Sequence, residues 1–332
     1  MVRQPFLRLK CMKKHSKSTL AGVERERRFC MKGKKKVRAY KKRDYQAFIY
    51  LAPWLIGLIV LQMYPFLSSL YYSFTDYQIT SKPVWAGLKN YITLFTGDKE
   101  FITAFWVTIR FTIMTVPGKL LLALAVAVFL NRNIKGINMI RTLYYIPSLF
   151  GGSIAVAMLW KVMFMDNGII NSLLSLLGIS GISWLGDPKV ALKTICMLEI
   201  WQFGSSMVMF LAALKQVPKE LYEAASIDGA GKVRSFFSIT VPQITPIIFF
   251  NMIMQTINAL QTYTSASVIT GGGPLKATYV MGLKLYKEGF SYFKMGYASA
   301  ISWVMFTVIL VVTLLLFKSS SSWVYYEDGG DF

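Results

Sequence analysis

The sequence predicts an all-α membrane protein with six transmembrane helices. Of its 332 residues, 54% are hydrophobic and only 16% are charged, whereas soluble domains contain about 25% charged residues. Charged side chains are absent from residues 45–75, 142–160 and 235–275, and about 20 apolar residues are enough to cross a bilayer as a helix. Positive charge is concentrated before the first of these stretches, as expected for a membrane protein with a fixed orientation.

The basic segment at residues 1–44 is predicted to lie in the cytoplasm. It contains seventeen Lys or Arg and three acidic residues, so it supplies +14 of the formal net charge of +21. Lys and Arg next to a span are retained on the cytoplasmic side and attracted to anionic lipid. Nucleic-acid binding is the alternative for such an arm; we favour the membrane explanation and expect no nucleic-acid partner. We also hypothesise that translation starts at Met12 or Met31 instead of Met1.

Three spans are predicted in the first half of the chain. They are residues 45–75, a helix within 101–131, and a helix from 142 to about 165. Tyr64, Tyr71 and Tyr72 are suited to anchor the first span at an interface. We expect Pro117 and Gly118 to kink the second span, because proline removes a helical hydrogen bond.

Three further spans are predicted at about 190–214, near 243–268 and at about 295–317. The 41 charge-free residues from 235 to 275 are too many for one perpendicular helix of about 20 residues, and Pro242 and Pro246 mark the start of the span. The preceding loop at 166–189 contains a short amphipathic helix, IINSLLSLLG. Residues 45–317 thus form the membrane domain.

An even number of spans places both termini on one side of the membrane. The basic arm assigns that side to the cytoplasm. The cytoplasmic segments are then the turn 131–141, the loop 218–242 and the tail 318–332, and the outward loops are 76–100, 166–189 and 268–294. This predicts a multi-pass protein of the bacterial cytoplasmic membrane.

The fifth span carries a polar stripe. Asn251, Gln255, Asn258 and Thr262 recur at helical spacing, with Gln261 and Ser265 beside them. Amides facing lipid are costly, so the stripe is expected to face a bundle interior or an aqueous path. Neutral amides and hydroxyls suit a polyhydroxylated solute, and interhelical hydrogen bonding is the alternative. Glu199 with Gln202 on the fourth span forms a second candidate cluster.

The loop at 218–242 is the most polar part of the second half of the chain. Pro218 suits a first helical turn, and Glu220 and Glu223 lie where a helix dipole favours negative charge. Gly229 and Gly231 are expected to separate two short helices. An amphipathic helix–turn–helix between two spans is suited to dock another protein, and a solvated connecting loop is the alternative.

Residues for energy conversion are not apparent in the sequence. The only histidine is His15, and the string GAGKVRS at 229–235 lacks the upstream glycine and the final hydroxyl of a phosphate-binding loop. We therefore expect no enzymatic activity, no metal and no cofactor in this chain. If transport is active, a separate subunit must bind and hydrolyse ATP.

Residues 223–242 resemble the signature loop of ABC-importer permeases, EAA-x3-G-x9-I-x-L-P. Glu223, Ala224, Ala225, Gly229, Ile239 and Pro242 match at that spacing, and Val241 replaces the usual Leu. Several other strings resemble the carbohydrate branch of the family, the larger partner in maltose-type and glycerol-phosphate-type systems. They are SLYYSFTDY (69–77), GLKNYITLF (87–95), IPSLF (146–150), GIINSLL (168–174), LAALKQVPKELYEAASIDGA (211–230) and TGGGP (270–274). The resemblance covers about residues 45–317.

This resemblance implies a type I ABC importer permease fold (MetI-like), with a swapped N-terminal contact to a second permease. It implies that the EAA loop forms coupling helices in a cleft of an ATPase subunit, where Glu223 makes charged contacts and Gly229 forms the bend. The implied coupling residues are Glu223, Ala224, Ala225, Asp228, Gly229 and Pro242, and the implied sugar path contains Asn258, Gln261, Thr262 and Ser265.

The implied partners are a second permease, two ATPase subunits, an extracytoplasmic solute-binding protein and a carbohydrate substrate, most simply an oligosaccharide. A permease for glycerol phosphate or another polar solute is the alternative. A phosphate would favour Arg or Lys on the path, and the fifth span offers neither. The absence of histidine from residues 45–317 disfavours a membrane-embedded enzyme. The EAA loop disfavours a passive channel, because a channel needs no ATPase.

Overall fold

The structure is a computed structural model that describes residues 48–132 and 135–325. The basic arm predicted at 1–44 lies outside the described residues. The described residues divide into two units, the first ending at Ser68 and the second beginning at Ser69.

The first predicted span forms the helix α1, Phe48–Ser73. It contains a π-helical stretch, Leu58–Met63. None of the side chains in its most apolar window is buried. Its charge-free composition and length are those of a membrane-crossing helix.

A short hairpin follows α1. Strands β1 (Thr75–Asp76) and β2 (Val84–Trp85) pair antiparallel, and the side-chain amide of Asn90 donates to the carbonyl oxygens of Ser73 and Thr75 at 2.9 Å each. Asn90 belongs to α2 (Lys89–Ile92), which continues as a π-helical turn, Thr93–Gly97. These bonds satisfy backbone groups at the end of α1.

The longest helix, α3, spans Lys99–Leu130. Asp98 caps its start, because its carboxylate accepts a hydrogen bond from the backbone N–H of Phe101 at 3.0 Å. Pro117 lies inside α3, which remains one continuous helix. We call the two ends of this helix, and the parts of the protein around them, the Asp98 end and the Leu130 end.

The predicted third span is not a single straight helix. It forms α4 (Ile137–Leu149) and α5 (Ile154–Met163), which are bent by 99°. The break between them contains Gly151 and Gly152, a residue type that disfavours a helix interior, and Pro147 lies inside α4 close to its end. The amphipathic helix predicted in the next loop is confirmed as α6, Ile169–Leu176.

The fourth span also consists of two helices. They are α7 (Ala191–Trp201) and α8 (Gly204–Gln216), bent by 45°. Two short helices follow in the polar segment, α9 (Lys219–Ile227) and α10 (Lys232–Ser235), and a π-helical turn, Phe236–Thr240, leads into the next span.

The last third of the chain contains four more helices. They are α11 (Val241–Leu260), α12 (Thr264–Ile269), α13 (Met281–Tyr286), extended by a π-helical turn over Lys287–Ser291, and α14 (Met295–Ser320). In the described part of the chain, four helices are long and apolar enough to cross a membrane, or six spans if each bent pair is one span. That count agrees with the predicted six.

Two buried apolar clusters hold the helices of the second unit together. One surrounds the Asp98 end and includes Phe101, Phe111, Ile195, Val280 and Ile301. The other surrounds the Leu130 end and includes Leu130, Met207, Phe210, Leu214 and Ile244. Since α3 contributes to both clusters, it links the two ends of the bundle.

Candidate functional site: a polar hairpin and a broken helix

The segment 218–242, called the polar hairpin below, is built around one glycine. Gly229 has φ +76°, a left-handed conformation that glycine adopts without steric cost. The N–H of Gly229 donates to the carbonyl of Ser226, and that of Ala230 donates to Ala225 at 2.8 Å. This is a Schellman motif. It ends α9 sharply and allows α10 to turn away, so the predicted helix–turn–helix is present.

The polar hairpin is attached to the Leu130 end. The hydroxyl groups of Tyr222 and Thr240 are 2.7 Å apart, which joins α9 to the start of α11. Tyr222 and Ile239 also pack against the apolar cluster that contains Leu130 and Ile244. These contacts connect α9 to α11 and, through the cluster, to α3.

The opposite face of the hairpin is exposed. Ile227 is 87% and Val233 is 73% exposed. Glu223, Ala224, Asp228 and Gly229 are exposed, whereas Ala225 and Pro242 are half-buried. Within the described residues, Glu223 has no ion pair. Apolar side chains flanked by unpaired charges are typical of a surface that docks another protein.

The C-terminal tail packs against the first half of α11, a contact that no sequence pattern indicated. The backbone N–H of Tyr325 donates to Oγ1 of Thr245 at 2.9 Å. The ring of Trp323 meets that of Phe249 edge-on, with 5.9 Å between centroids. Thr245 and Phe249 belong to the first turns of α11, so the tail contacts the helix that receives the hairpin.

The polar stripe predicted on the fifth span does not form one uniform face. Asn251 is buried, and its amide donates to the carbonyl of Ile247 in its own helix at 3.0 Å. The amide of Gln255 donates to the hydroxyl of Ser206 on α8 at 3.3 Å. These two side chains make the intrahelical and interhelical bonds of the alternative interpretation.

The remaining members of the stripe lie at a break in the span. The helix α11 ends at Leu260 and α12 begins at Thr264. Asn258 and Gln261 are exposed. The hydroxyls of Thr262 and Ser265 lie 3.2 Å apart, and Ser265 is buried. Non-helical backbone at membrane depth is found where it lines a cavity or is covered by protein.

A buried ion network lies at the Asp98 end, close to the break between α11 and α12. The Nζ atom of Lys284 is 2.7 Å from Oδ2 of Asp98 and 3.1 Å from Oε1 of Glu288. The hydroxyl of Tyr297 also donates to Asp98, at 2.6 Å. The Lys284 side chain is only 2% exposed. The network thus fixes α13 and α14 against the start of α3.

The pKa values of this network follow from its contacts. Burial raises the pKa of Asp98, but the hydrogen bonds from Lys284 and Tyr297 outweigh it and hold that pKa below its ordinary value. Burial lowers the pKa of Lys284, and its bonds to Asp98 and Glu288 outweigh that effect and raise its pKa. Both groups are therefore charged at neutral pH.

The second predicted cluster, on the fourth span, is divided. Gln202 is buried at the bend between α7 and α8. Glu199 is half-buried and interacts electrostatically with Lys119 of α3. The packing of α3 against α7 brings these two residues together although they are far apart along the chain.

Long apolar helices, an exposed polar hairpin at one end and a broken polar helix within the bundle are the features of a membrane transport permease. The chain belongs to the family described as binding-protein-dependent transport system inner membrane component, whose model matches residues 90–326. The membership places the protein in a membrane as a transporter subunit, and the predicted all-α type I importer permease fold is confirmed.

Individual relatives agree with this assignment. The chain is 46% identical over 297 residues to YesP of Bacillus subtilis (strain 168), a probable ABC transporter permease, with 89% of this chain and 96% of YesP covered. It is 35% identical over 275 residues to SmoG of Agrobacterium fabrum (strain C58 / ATCC 33970), a sulfoquinovosyl glycerol transport system permease, with 82% and 89% covered. A solved bacterial ABC transporter that imports the acidic polysaccharide alginate has the same fold, with a TM-score of 0.73, 23% identity, and 86% and 98% coverage.

Proposed function

We propose that this protein is a permease subunit of an ATP-driven, binding-protein-dependent carbohydrate importer. The observation that carries the proposal is the exposed polar hairpin, bent at Gly229 and joined to α11 through Tyr222 and Thr240. In the described part of the chain, Ile227 and Val233 remain 87% and 73% exposed, so packing within the chain does not cover this surface. Its exposed apolar residues and the unpaired Glu223 suit a protein partner that applies force.

In the proposed cycle, a cleft of an ATPase subunit holds α9 and α10. ATP-driven closure of two ATPase subunits moves the polar hairpin, and the Tyr222–Thr240 contact transmits the movement to α11. The coupling residues are Glu223, Ala224, Ala225, Asp228, Gly229 and Pro242. This chain supplies no cofactor of its own, and ATP is bound by its partner.

The proposed substrate path passes the break between α11 and α12. Asn258, Gln261, Thr262 and Ser265 offer amide and hydroxyl groups there, which can donate to and accept from sugar hydroxyls. The relative SmoG belongs to a sulfoquinovosyl glycerol transport system, which supports a carbohydrate. Glycerol phosphate is the weaker candidate, because none of these four residues is cationic and a phosphate favours Arg or Lys.

The proposed orientation places the Leu130 end and both termini in the cytoplasm. The Asp98 end then faces outward, where a solute-binding protein delivers the substrate to α13 and the neighbouring loops. A second, homologous permease completes the path. The basic arm at 1–44 supports this orientation by the distribution of its charge.

Reconstitution tests this proposal. The protein, a second permease and an ATPase that co-purify with it would be placed in liposomes, with a solute-binding protein of the same organism outside and ATP inside. Uptake would be measured with radiolabelled disaccharides and tetrasaccharides of glucose, arabinose and galacturonic acid, and with glycerol 3-phosphate. We expect ATP-dependent uptake of at least one glycan. Uptake of glycerol 3-phosphate alone, or uptake of any of these solutes without the ATPase, would overturn the proposal.

A further inference from the structure

We propose that the groove between α4 and α8 at the Leu130 end binds an acidic phospholipid through its phosphate and the adjoining part of an acyl chain. We call it the α4–α8 groove. The inference rests on the proposed orientation, in which the Leu130 end lies at the cytoplasmic leaflet. It adds a lipid site that lies outside both the proposed substrate path and the coupling residues.

The α4–α8 groove has two unlike walls. Its volume is about 510 Å³. The wall from α4 is polar, whereas the wall from α8 is apolar except for a lysine in the last turn. The lining residues are Asn138, Arg141, Thr142 and Tyr145 from α4, and Val208, Leu211, Ala212 and Lys215 from α8. A groove of this kind is suited to a ligand that is polar at one end and apolar beyond it.

The charge of the groove is positive and is not balanced by the chain. Arg141 and Lys215 line it, and none of the lining residues is acidic. In the part of the chain that the structure describes, neither of these cations is paired with a carboxylate. The groove therefore favours an anionic ligand.

Hydrogen bonds hold the guanidinium of Arg141 in position. Its Nη1 donates to Oδ1 of Asn138 at 2.9 Å, and its Nη2 donates to the carbonyl oxygen of Leu130 at 2.8 Å. Both acceptors are uncharged, so these bonds orient the guanidinium without neutralising it. A guanidinium has five N–H donors, and a fixed cation is the preorganised group that a phosphate site requires.

The groove lies where the headgroups of a bilayer would be. Three helix ends meet around it: α3 ends at Leu130, α4 begins at Ile137, and Lys215 is in the last turn of α8. Anionic lipids are found in the cytoplasmic leaflet, and basic pockets between spans on that side bind their headgroups. This depth favours the phosphate of a lipid over a soluble anion.

The apolar wall provides a place for the acyl chain. Val208, Ala212 and Lys215 follow one another at helical spacing, and all three are exposed. Val208 is seven residues before Lys215, which is about 10 Å farther into the bundle along the helix. A phosphate beside Lys215 would thus place the start of its acyl chain along Ala212 and Val208.

The test is a lipid titration of the delipidated protein, purified with its partner subunits and followed by native mass spectrometry. Phosphatidylglycerol is the probe. Phosphatidylcholine, which has no net charge, and inorganic phosphate, which has no acyl chain, are the comparison ligands. Binding of phosphatidylglycerol is also measured in competition with inorganic phosphate.

The variants separate the charge of the groove from its shape. Arg141→Gln and Lys215→Gln each remove one cation, whereas Lys215→Arg keeps it. Ala212→Phe fills the apolar wall and leaves both charges in place. Lys189→Gln is the matched control, because Lys189 is an exposed lysine that does not line the groove.

We expect each Gln variant to weaken phosphatidylglycerol binding about fivefold, which corresponds to about 1 kcal/mol for a cation near an anionic lipid surface. Ala212→Phe should weaken it at least as much, because the ring occupies the position of the acyl chain. Lys215→Arg and Lys189→Gln should stay within about twofold of the wild type. Inorganic phosphate should not compete, and phosphatidylcholine should bind more weakly.

Wild-type affinity in Lys215→Gln would overturn the proposal, and this variant removes no hydrogen bond within the described chain even if Arg141→Gln fails to fold. Equal affinity for phosphatidylcholine would also overturn it, as would competition by inorganic phosphate, which would indicate a site for soluble anions. Loss of the co-purifying subunits in Ala212→Phe would make the groove a subunit interface instead. These outcomes are independent of transport, so they differ from failure of the proposed function, in which the wild type takes up no glycan.

Discussion

Gly282 lies directly against the carbonyl oxygen of Thr262: a Cβ atom on this glycine would be 2.5 Å from that oxygen. The close approach seats the start of α13 in the break between α11 and α12. Because the contact is with backbone atoms, it cannot be relieved by a rotamer change. The absence of a side chain at Gly282 therefore links the position of the broken helix to that of α13.

The first prediction concerns this contact. Gly282→Ala should destabilise the protein by about 1–3 kcal/mol, the usual cost of overpacking, and should reduce uptake because the break must shift. Thermal unfolding in detergent measures the first effect. Gly57→Ala is the control, because a Cβ there meets nothing within 4 Å. Equal melting temperatures for Gly282→Ala and the wild type would show that the contact is loose.

The second prediction concerns the buried ion network. Lys284→Met leaves the charges of Asp98 and Glu288 without their cation, and should cost about 3–5 kcal/mol of folding free energy. Adding Asp98→Asn and Glu288→Gln should recover part of this loss, since no buried charge is then unpaired. Lys89→Met is the control: Lys89 and Asp76 form an exposed pair at 3.6 Å, worth at most about 1 kcal/mol. Similar losses for Lys284→Met and Lys89→Met would contradict the prediction.

The third prediction is a pH dependence. The pKa of Asp98 in the folded protein is below its ordinary value of 3.8, so the stability that it contributes is present above that value and is lost as the pH falls through the folded pKa. The melting temperatures of the wild type and of Asp98→Asn should differ at pH 7 and converge below about pH 4. Lys284, whose pKa is raised, should remain charged throughout this range. A difference that grows on acidification would refute the assignment.

The fourth prediction concerns the polar hairpin. Glu223→Ala should abolish uptake and weaken co-purification with the ATPase, while the protein remains in the membrane, because Glu223 is exposed and has no partner within the described chain. Glu220→Ala, an exposed acidic residue of the same helix outside the matched spacing, should retain both properties. Full uptake by Glu223→Ala would exclude it from coupling.

The fifth prediction separates the two parts of the polar stripe. The double variant Asn258→Ala with Thr262→Ala should lower uptake, while ATPase association and the melting temperature stay close to those of the wild type. Asn251→Ala should instead lower the melting temperature, because Asn251 is buried and bonded within its own helix. If the double variant transports normally, the broken part of the stripe is structural as well.

The helical class, the spans and the polar hairpin could be predicted because each depends on local information. Charge-free stretches identify the spans, and the spacing from Glu223 to Pro242 locates the hairpin, whose bend follows from the backbone freedom of Gly229. The boundaries of α1, α3 and α14 agree with that local analysis. Predicting the polar segment between the fourth and fifth spans required no knowledge of tertiary contacts.

What could not be predicted depends on contacts between distant parts of the chain. The break after Leu260 has no proline or glycine at the site, and it coincides with the backbone of Gly282, which approaches from another segment. The partner of Asp98 is Lys284, and that of Thr245 is Tyr325. Lys284 belongs to the outward loop predicted at 268–294, and its burial shows that it has a structural role.

The ion network also determines how this protein can be recombined with its relatives. The segment from α13 to the start of α14 resembles a surface loop that could be exchanged on its own. However, its Lys284 pairs with the carboxylate of Asp98 at the beginning of α3. A chimera that exchanges only the loop would place a foreign side chain beside Asp98 and strand a charge in the interior. Chimeras that aim to change substrate choice should therefore exchange this segment and the start of α3 together.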